Sequence, residues 1–446
     1  MLHLTPVLSG ILAIVLFLAS GLAAAVPEIQ HWRTANGVPV YFIPARELPM
    51  VDAQILFNAG SVRDGERPGL AKLTNALLEE GAGDWSADVI ADRLDRVGAR
   101  FSASSRRDSA TIALRSLVDP RYLQPAVETV TRLLKEPTFA PDAVERVRQQ
   151  MLTALRDRAQ SPGAIAQDAF HKALYGDHPY GLPPEGTAAS LNAIVRAEIQ
   201  EFHRRHYTAA NAVVVLVGDL DPPAAEQLAD ALVGGLPEGE AIPSPPPVPP
   251  VAASQTIRIP HPSSQSHILI GQVGVSRTDP DYYALYLGNH VLGGNGLVSQ
   301  LSQEIREKRG LAYGAYSAFT PMRQAGPFLL SLQTRNDQVD TALEVARATL
   351  REFTAQGPAA PRLEEARQNI TGGFALDLAG NGKLAGALGL IAFYGLPLDY
   401  LQNYIGIMNG ISLEQVNAAW QRRVQPDKLI TVIVGGDQAA AKPAGS

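Results

Sequence analysis

The chain of 446 residues contains no cysteine. That excludes a disulfide framework, a thiolate nucleophile, a Cys-ligated metal and lipid attachment through an N-terminal cysteine. Aromatic residues are few, 6%. Histidines number nine, and no long block of Lys or Arg occurs; with a net charge of −6, nucleic-acid binding has little support. Beyond the first residues no run is apolar enough to cross a bilayer. Hydrophobic residues at 46% and charged residues at 18% nevertheless describe a globular chain rather than a disordered one. At this length two domains of about 200 residues each are expected, large enough to hold together by core packing without disulfides.

Residues 1–25 read as a signal peptide. An apolar core spans 11–18, and Ala23, Ala24 and Ala25 offer small side chains for cleavage. No Lys or Arg precedes the core, only His3, so an uncleaved membrane anchor over 7–26 is the alternative. An exported, cysteine-free chain fits a bacterial periplasm.

The clearest boundary is the segment 236–255, with six prolines between Pro243 and Pro250. Proline at that density favours an extended, semi-rigid spacer. It separates an N-terminal domain, 26–235, from a C-terminal domain, 256–437; residues 438–446 form a small, polar tail expected to fray. The halves echo each other. An apolar strand at 213–217 runs into Gly218-Asp219, and one at 429–434 into Gly435-Gly436-Asp437. Each half opens with strand-like segments, 38–43 then 53–57, and 256–259 then 267–270. Helical stretches follow at 84–97, 120–134, 141–159, 281–292 and 337–353. The pattern predicts an α+β fold: two homologous domains, each a mostly antiparallel sheet covered by helices on one face.

Residues 67–80 read as a helix with Leu70, Leu73 and Leu77 toward the core. Lys72, Ala76 and Glu79 lie on another stripe, with Asn75 beside it. Taken alone, Lys72 and Asn75 are surface residues of an ordinary amphipathic helix. In His203-Arg204-Arg205-His206-Tyr207 the histidine spacing reaches one ion, but no third ligand stands nearby and the arginines disfavour a cation. No Gly-x-Ser-x-Gly elbow occurs. Residues 304–309 alone read as a charged helix end closed by Gly310, with Tyr313 in a strand over 311–319. Gly293, Gly294 and Gly296 suit a tight turn.

Taken together, these segments resemble the pitrilysin/insulinase zinc peptidases over residues 27–436. The stretch Asn58-Ala59-Gly60-Ser61-Val62-Arg63-Asp64 resembles the family's approach to its inverted motif, His-x-x-Glu-His. Lys72, Asn75 and Ala76 stand at the three motif positions, and Val147 and Ala154 at those of two glutamates on a later helix, one of them the third zinc ligand. An ammonium has no lone pair to donate and a methyl group no donor atom, so no metal and no cofactor is expected in this chain. The run from Leu292 through Gly293-Gly294 to Ile305-Arg306-Glu307-Lys308-Arg309-Gly310-Leu311-Ala312-Tyr313 resembles the family's second-domain signature. There the resemblance implies that Arg306 and Tyr313 reach across to a zinc site in an opposing domain, binding substrate or stabilising the transition state.

The resemblance thus implies a periplasmic, non-catalytic subunit, one half of a clamshell, that completes a two-chain zinc peptidase. Zinc is expected in the homologous partner subunit, and peptides are the expected substrates. The alternative is a purely structural or peptide-binding scaffold with no part in catalysis. Membrane association is expected only if the leader is uncleaved.

Overall fold

The structure, a computed structural model, describes residues 28–251 and 253–436. The leader at 1–25 and the tail at 438–446 lie outside the described residues.

In the first half the strands are β1 (Gln30–Arg33), β2 (Pro39–Pro44), β3 (Met50–Phe57), the two-residue pair β4 (Gly81–Ala82) and β5 (Trp85–Ser86), β6 (Arg100–Ser105), β7 (Ala110–Leu117) and β8 (Ala212–Gly218). Six of them form one sheet in the order β1-β2-β8-β3-β7-β6. The second half contributes β9 (Gln255–Ile259), β10 (Gln265–Val273), β11 (Ala312–Phe319), β12 (Pro327–Arg335) and β13 (Ile430–Val434), ordered β11-β12-β10-β13-β9. Read in reverse, the second order matches β2-β8-β3-β7-β6 of the first strand for strand, and β1 is an added edge strand of the first half. In each half the last strand runs parallel to an early one, β8 to β2 and β13 to β9, while the rest of the sheet is antiparallel. β8 and β13 have every residue buried, which is why both read as unbroken apolar runs.

Helices pack one face of each sheet and enclose the two larger cores. The opposite face is not bare, and here the fold differs from the one-sided covering read from sequence. Helix Pro162–Tyr175, from the first half, lies across β10 and β13 of the second. Helix Asn381–Tyr394, from the second half, lies across β3 and β8 of the first, with Leu384, Leu388 and Ile391 buried against Leu56, Val213 and Val215. The exchange is reciprocal, and single-helix periodicity says nothing about which sheet an apolar stripe will meet.

The turn between β11 and β12 docks onto the first half. Asp108, buried between β6 and β7, accepts from the Tyr180 hydroxyl at 2.6 Å and from the Arg323 backbone N–H at 2.8 Å. The proline-rich segment is tied down too. Prolines cannot donate, but their carbonyls accept: Pro246 from His178 Nε2 at 2.9 Å, and Pro245 from Gln324 Nε2 at 2.8 Å. Among the described residues no helix is long and apolar enough to cross a membrane.

Candidate functional site

The helix bearing Lys72, Asn75 and Ala76 is shorter than the sequence suggests. It spans Leu70–Ala76 and tightens into a 3₁₀ turn at Leu77–Glu80. Gly69 precedes it with φ of 94°, and a Cβ there would stand 2.9 Å from Leu191 Cδ2, so the chain cannot be helical from residue 67. Asp64 takes over the cap: its carboxylate accepts from Gly69 N at 2.8 Å and Ala71 N at 2.7 Å. Burial pushes the Asp64 carboxyl up to about 7, although the two backbone N–H groups oppose the shift.

Lys72 Nζ sits 3.3 Å from Glu185 Oε1. Burial alone would push the Glu185 carboxyl up, but Lys72, with help from Arg158, holds it below its ordinary range. Asn75 is not a surface residue, contrary to its reading in isolation; it is buried and donates from Nδ2 to the Tyr207 hydroxyl at 3.2 Å. Ala76 is half-buried against the first core. On helix Pro141–Arg158, Val147 is buried in that core and Ala154 points to solvent. An ammonium engaged with a carboxylate, an amide engaged with a phenol, and aliphatic side chains do not make a zinc site. Among the described residues no group of three His, Asp or Glu side chains is placed to hold a metal ion. His203 stacks on Tyr207 at 4.9 Å, and His206 Nδ1 lies 3.3 Å from the Asn58 carbonyl, each serving the core.

Arg306 and Tyr313 are brought together: the guanidinium carbon lies 5.2 Å from the centre of the Tyr313 ring, within cation–π range. Two irregular turns place them. Helix Tyr282–Asn289 widens into a π-turn at His290–Gly294, and Gln303–Glu307, which carries Arg306, forms a second. The first is pinned to β11, with Asn289 Nδ2 donating to the Ser317 carbonyl at 2.8 Å and Ser317 Oγ to Asn289 Oδ1 at 2.7 Å. Gly293 permits that approach, since a Cβ would stand 2.6 Å from Ser317 N. Glu304 takes up Lys308 at 2.5 Å and Arg309 at 2.7 Å. Among the described residues no carboxylate pairs with Arg306.

A β-bulge sets the direction of Tyr313. Ala312 pairs with Thr334 and Ala315 with Leu332, so Tyr313 and Gly314 together face the single residue Gln333. Three residues apart on a regular strand, Tyr313 and Tyr316 would point to opposite faces. The extra residue puts both on the open face, 83% and 47% exposed, while Ala312 and Ala315 both enter the core. Reading 311–319 as a plain strand misses this; the glycine inside Tyr-Gly-Ala-Tyr is the signal that marks it. Asp64 and Asp108 were missed as well, because a buried carboxylate leaves no trace in periodicity.

Residues 45–188 match the family profile described as Insulinase (Peptidase family M16), and residues 193–370 the profile described as Peptidase M16 inactive domain. A crystal structure described as a peptidase M16 inactive domain from Pseudomonas fluorescens is 39% identical, covers 93% of this chain and 99% of its own, and superposes with a TM-score of 0.89. A protease of Helicobacter pylori, at 20% identity and a TM-score of 0.85, covers 92% of this chain and 99% of its own and shares the fold. Among sequences, an uncharacterized zinc protease of Streptomyces coelicolor is 29% identical over 70% of this chain and 69% of its own. A Helicobacter pylori protein named a non-peptidase homolog is 25% identical over 93% of this chain and 95% of its own. With lost metal positions, duplicated sheets and these relatives together, the chain belongs to peptidase family M16, the insulinase/pitrilysin family, as a homologue of its inactive domain.

Proposed function

We propose that this chain is the non-catalytic subunit of a two-chain, periplasmic zinc peptidase, working opposite a homologue that retains His-x-x-Glu-His. One observation carries the reading. The half that would hold zinc carries no ligand at the motif positions, while the other half keeps Arg306 and Tyr313 together, with the guanidinium free of any carboxylate among the described residues. That asymmetry suits a chain that serves a metal held elsewhere.

The zinc of the partner supplies the activated water. This chain's own residues act on the substrate. As water adds to a peptide carbonyl, negative charge develops on oxygen, and the Tyr313 phenol and Arg306 guanidinium are donors for it. The planar fork of Arg306 also suits the carbonyls or carboxylate of a bound peptide. The leader at 1–25 supports export to the periplasm, and an uncleaved leader would tether the pair to the membrane.

Co-expression with a zinc-bearing homologue tests this. Each chain alone is expected to be inactive toward oligopeptides, and the pair active, with zinc found only in the partner. Arg306→Ala is expected to abolish turnover while the two chains still co-purify. Unchanged turnover in that variant pair would instead identify this chain as a scaffold.

A further inference from the structure

Helix Pro162–Tyr175 lies over β10 and β13, and beyond its edge the face of the second sheet is open as a trough of about 350 Å³. That is at the lower end of the roughly 300–1,000 Å³ of small-ligand pockets. Two rows of cross-strand neighbours form its floor. One holds Leu269, Ser331 and Tyr316; the next holds His267 and Gln333 with the bulged Tyr313 and Gly314. Gln167 from the helix and Gln265 from the start of β10 complete the polar lining.

The lining is uncharged but mixed, with Ala166, Leu269 and Leu332 beside its polar groups. It offers amides, a hydroxyl, an imidazole and phenols, with no Asp, Glu, Lys or Arg among them. Burial, reinforced by the nearby His261, lowers the His267 pKa, and Gln333 Nε2 donates to its Nδ1 at 3.2 Å. Among the described residues the side chains of Gln167, Gln265 and Ser331 have no hydrogen-bond partner. The Tyr316 ring lies over Gly314, where a Cβ would come within 2.6 Å of its hydroxyl, so the bulge glycine sets the shape of the trough as well as the direction of Tyr313.

We infer that this trough is a subsite for a peptide residue bearing a neutral amide or hydroxyl side chain, held beside the Arg306–Tyr313 pair. It deepens the proposed function and rests on its peptide-handling part. A neutral polar side chain satisfies the unpaired amides and the Ser331 hydroxyl. An aliphatic one would desolvate them without replacing their bonds with water. A charged one would leave solvent for a lining with no counter-ion, and a lysine or arginine would also meet the positive charge of Arg306.

The test is calorimetric titration of the full chain, without a partner, with blocked alanine-based peptides carrying a single Gln, Thr, Leu or Lys. The Gln and Thr peptides are expected to bind about tenfold tighter than the Leu and Lys peptides. Gln333→Leu and, independently, Gln265→Leu are expected to bring the four to parity with the circular dichroism spectrum unchanged. Equal affinities for the wild type, no binding of any peptide, or a preference surviving both variants would each overturn the inference. The two readings fail separately. A pair that cleaves in an Arg306-dependent way, with no residue preference on this chain, removes the subsite and keeps the proposed function. A preference on this chain, with no cleavage by any pair, does the reverse.

Discussion

The Tyr394 hydroxyl donates to Asp108 Oδ2 at 3.0 Å, joining residues 286 positions apart and from opposite halves of the chain. With Tyr180 on Oδ1 and the Arg323 N–H on Oδ2, one buried carboxylate gathers two phenols and a backbone amide. Burial above all, and then Asp108 itself, hold both tyrosines well above the usual phenol range, so both stay protonated and donate. Asp108→Ala leaves three donors without an acceptor and is expected to cost about 3 kcal/mol or more. The check is the guanidinium unfolding midpoint, together with the rate of limited proteolysis across 236–255, which should rise as the β11–β12 turn releases its grip.

Asn75 holds the Leu70–Ala76 helix against Tyr207. Asn75→Ala should cost about 1–2 kcal/mol by leaving the buried phenol without its partner. Writing the motif back is expected to fail as metal chemistry. Lys72→His, Asn75→Glu and Ala76→His together supply two imidazoles, but Val147 and Ala154 still offer no third ligand. After dialysis the triple variant should hold well under one equivalent of zinc by mass spectrometry, and a chelator should leave the wild-type unfolding midpoint where it was.

Tyr313→Phe keeps the ring beneath the guanidinium and removes only the hydroxyl. In an active pair it is expected to lower kcat about 10²–10³-fold, the range for losing one oxyanion donor, with KM little changed. A change confined to KM would assign Tyr313 to ground-state binding.

Acid should weaken the fold in a defined window. Burial pushes His171, His203 and His206 each down to about 4, against 6.5 for a free imidazole. Between those values the unfolded chain binds protons that the folded chain refuses. Their contribution is therefore full above pH 6.5 and lost as the pH falls toward 4. Asp64, raised from 3.8 to about 7, runs the other way: its contribution is full below 3.8 and lost as the pH rises to 7. Three histidines outweigh one aspartate, leaving a net loss of up to about 2.7 kcal/mol per pH unit on acidification. Unfolding midpoints at pH 7, 6 and 5 should fall in that order, and His203→Phe should flatten the trend.

The strand plan was legible because burial on both faces turns strands such as β8 and β13 into apolar runs that stand out in each half. The missing zinc ligands were equally plain, since donor chemistry is a property of residue type. What could not be read depends on distant partners. Asn75 looks like a surface amide until Tyr207, 132 residues away, is placed against it. Helix Asn381–Tyr394 is apolar on nearly every side, so no stripe announces that it will cover the other half's sheet. The bulge at Tyr313 was written locally, in Gly314, yet its effect appears only when the pairing of Ala312 and Ala315 across to β12 is known.

Because each repeat roofs the sheet of its neighbour, a solitary repeat would present an unshielded apolar strip until it met a second copy. Fusing two repeats through one tether makes that meeting unimolecular, at an effective concentration on the order of millimolar. The encounter no longer depends on how much protein the cell makes, and each half is then free to diverge in chemistry.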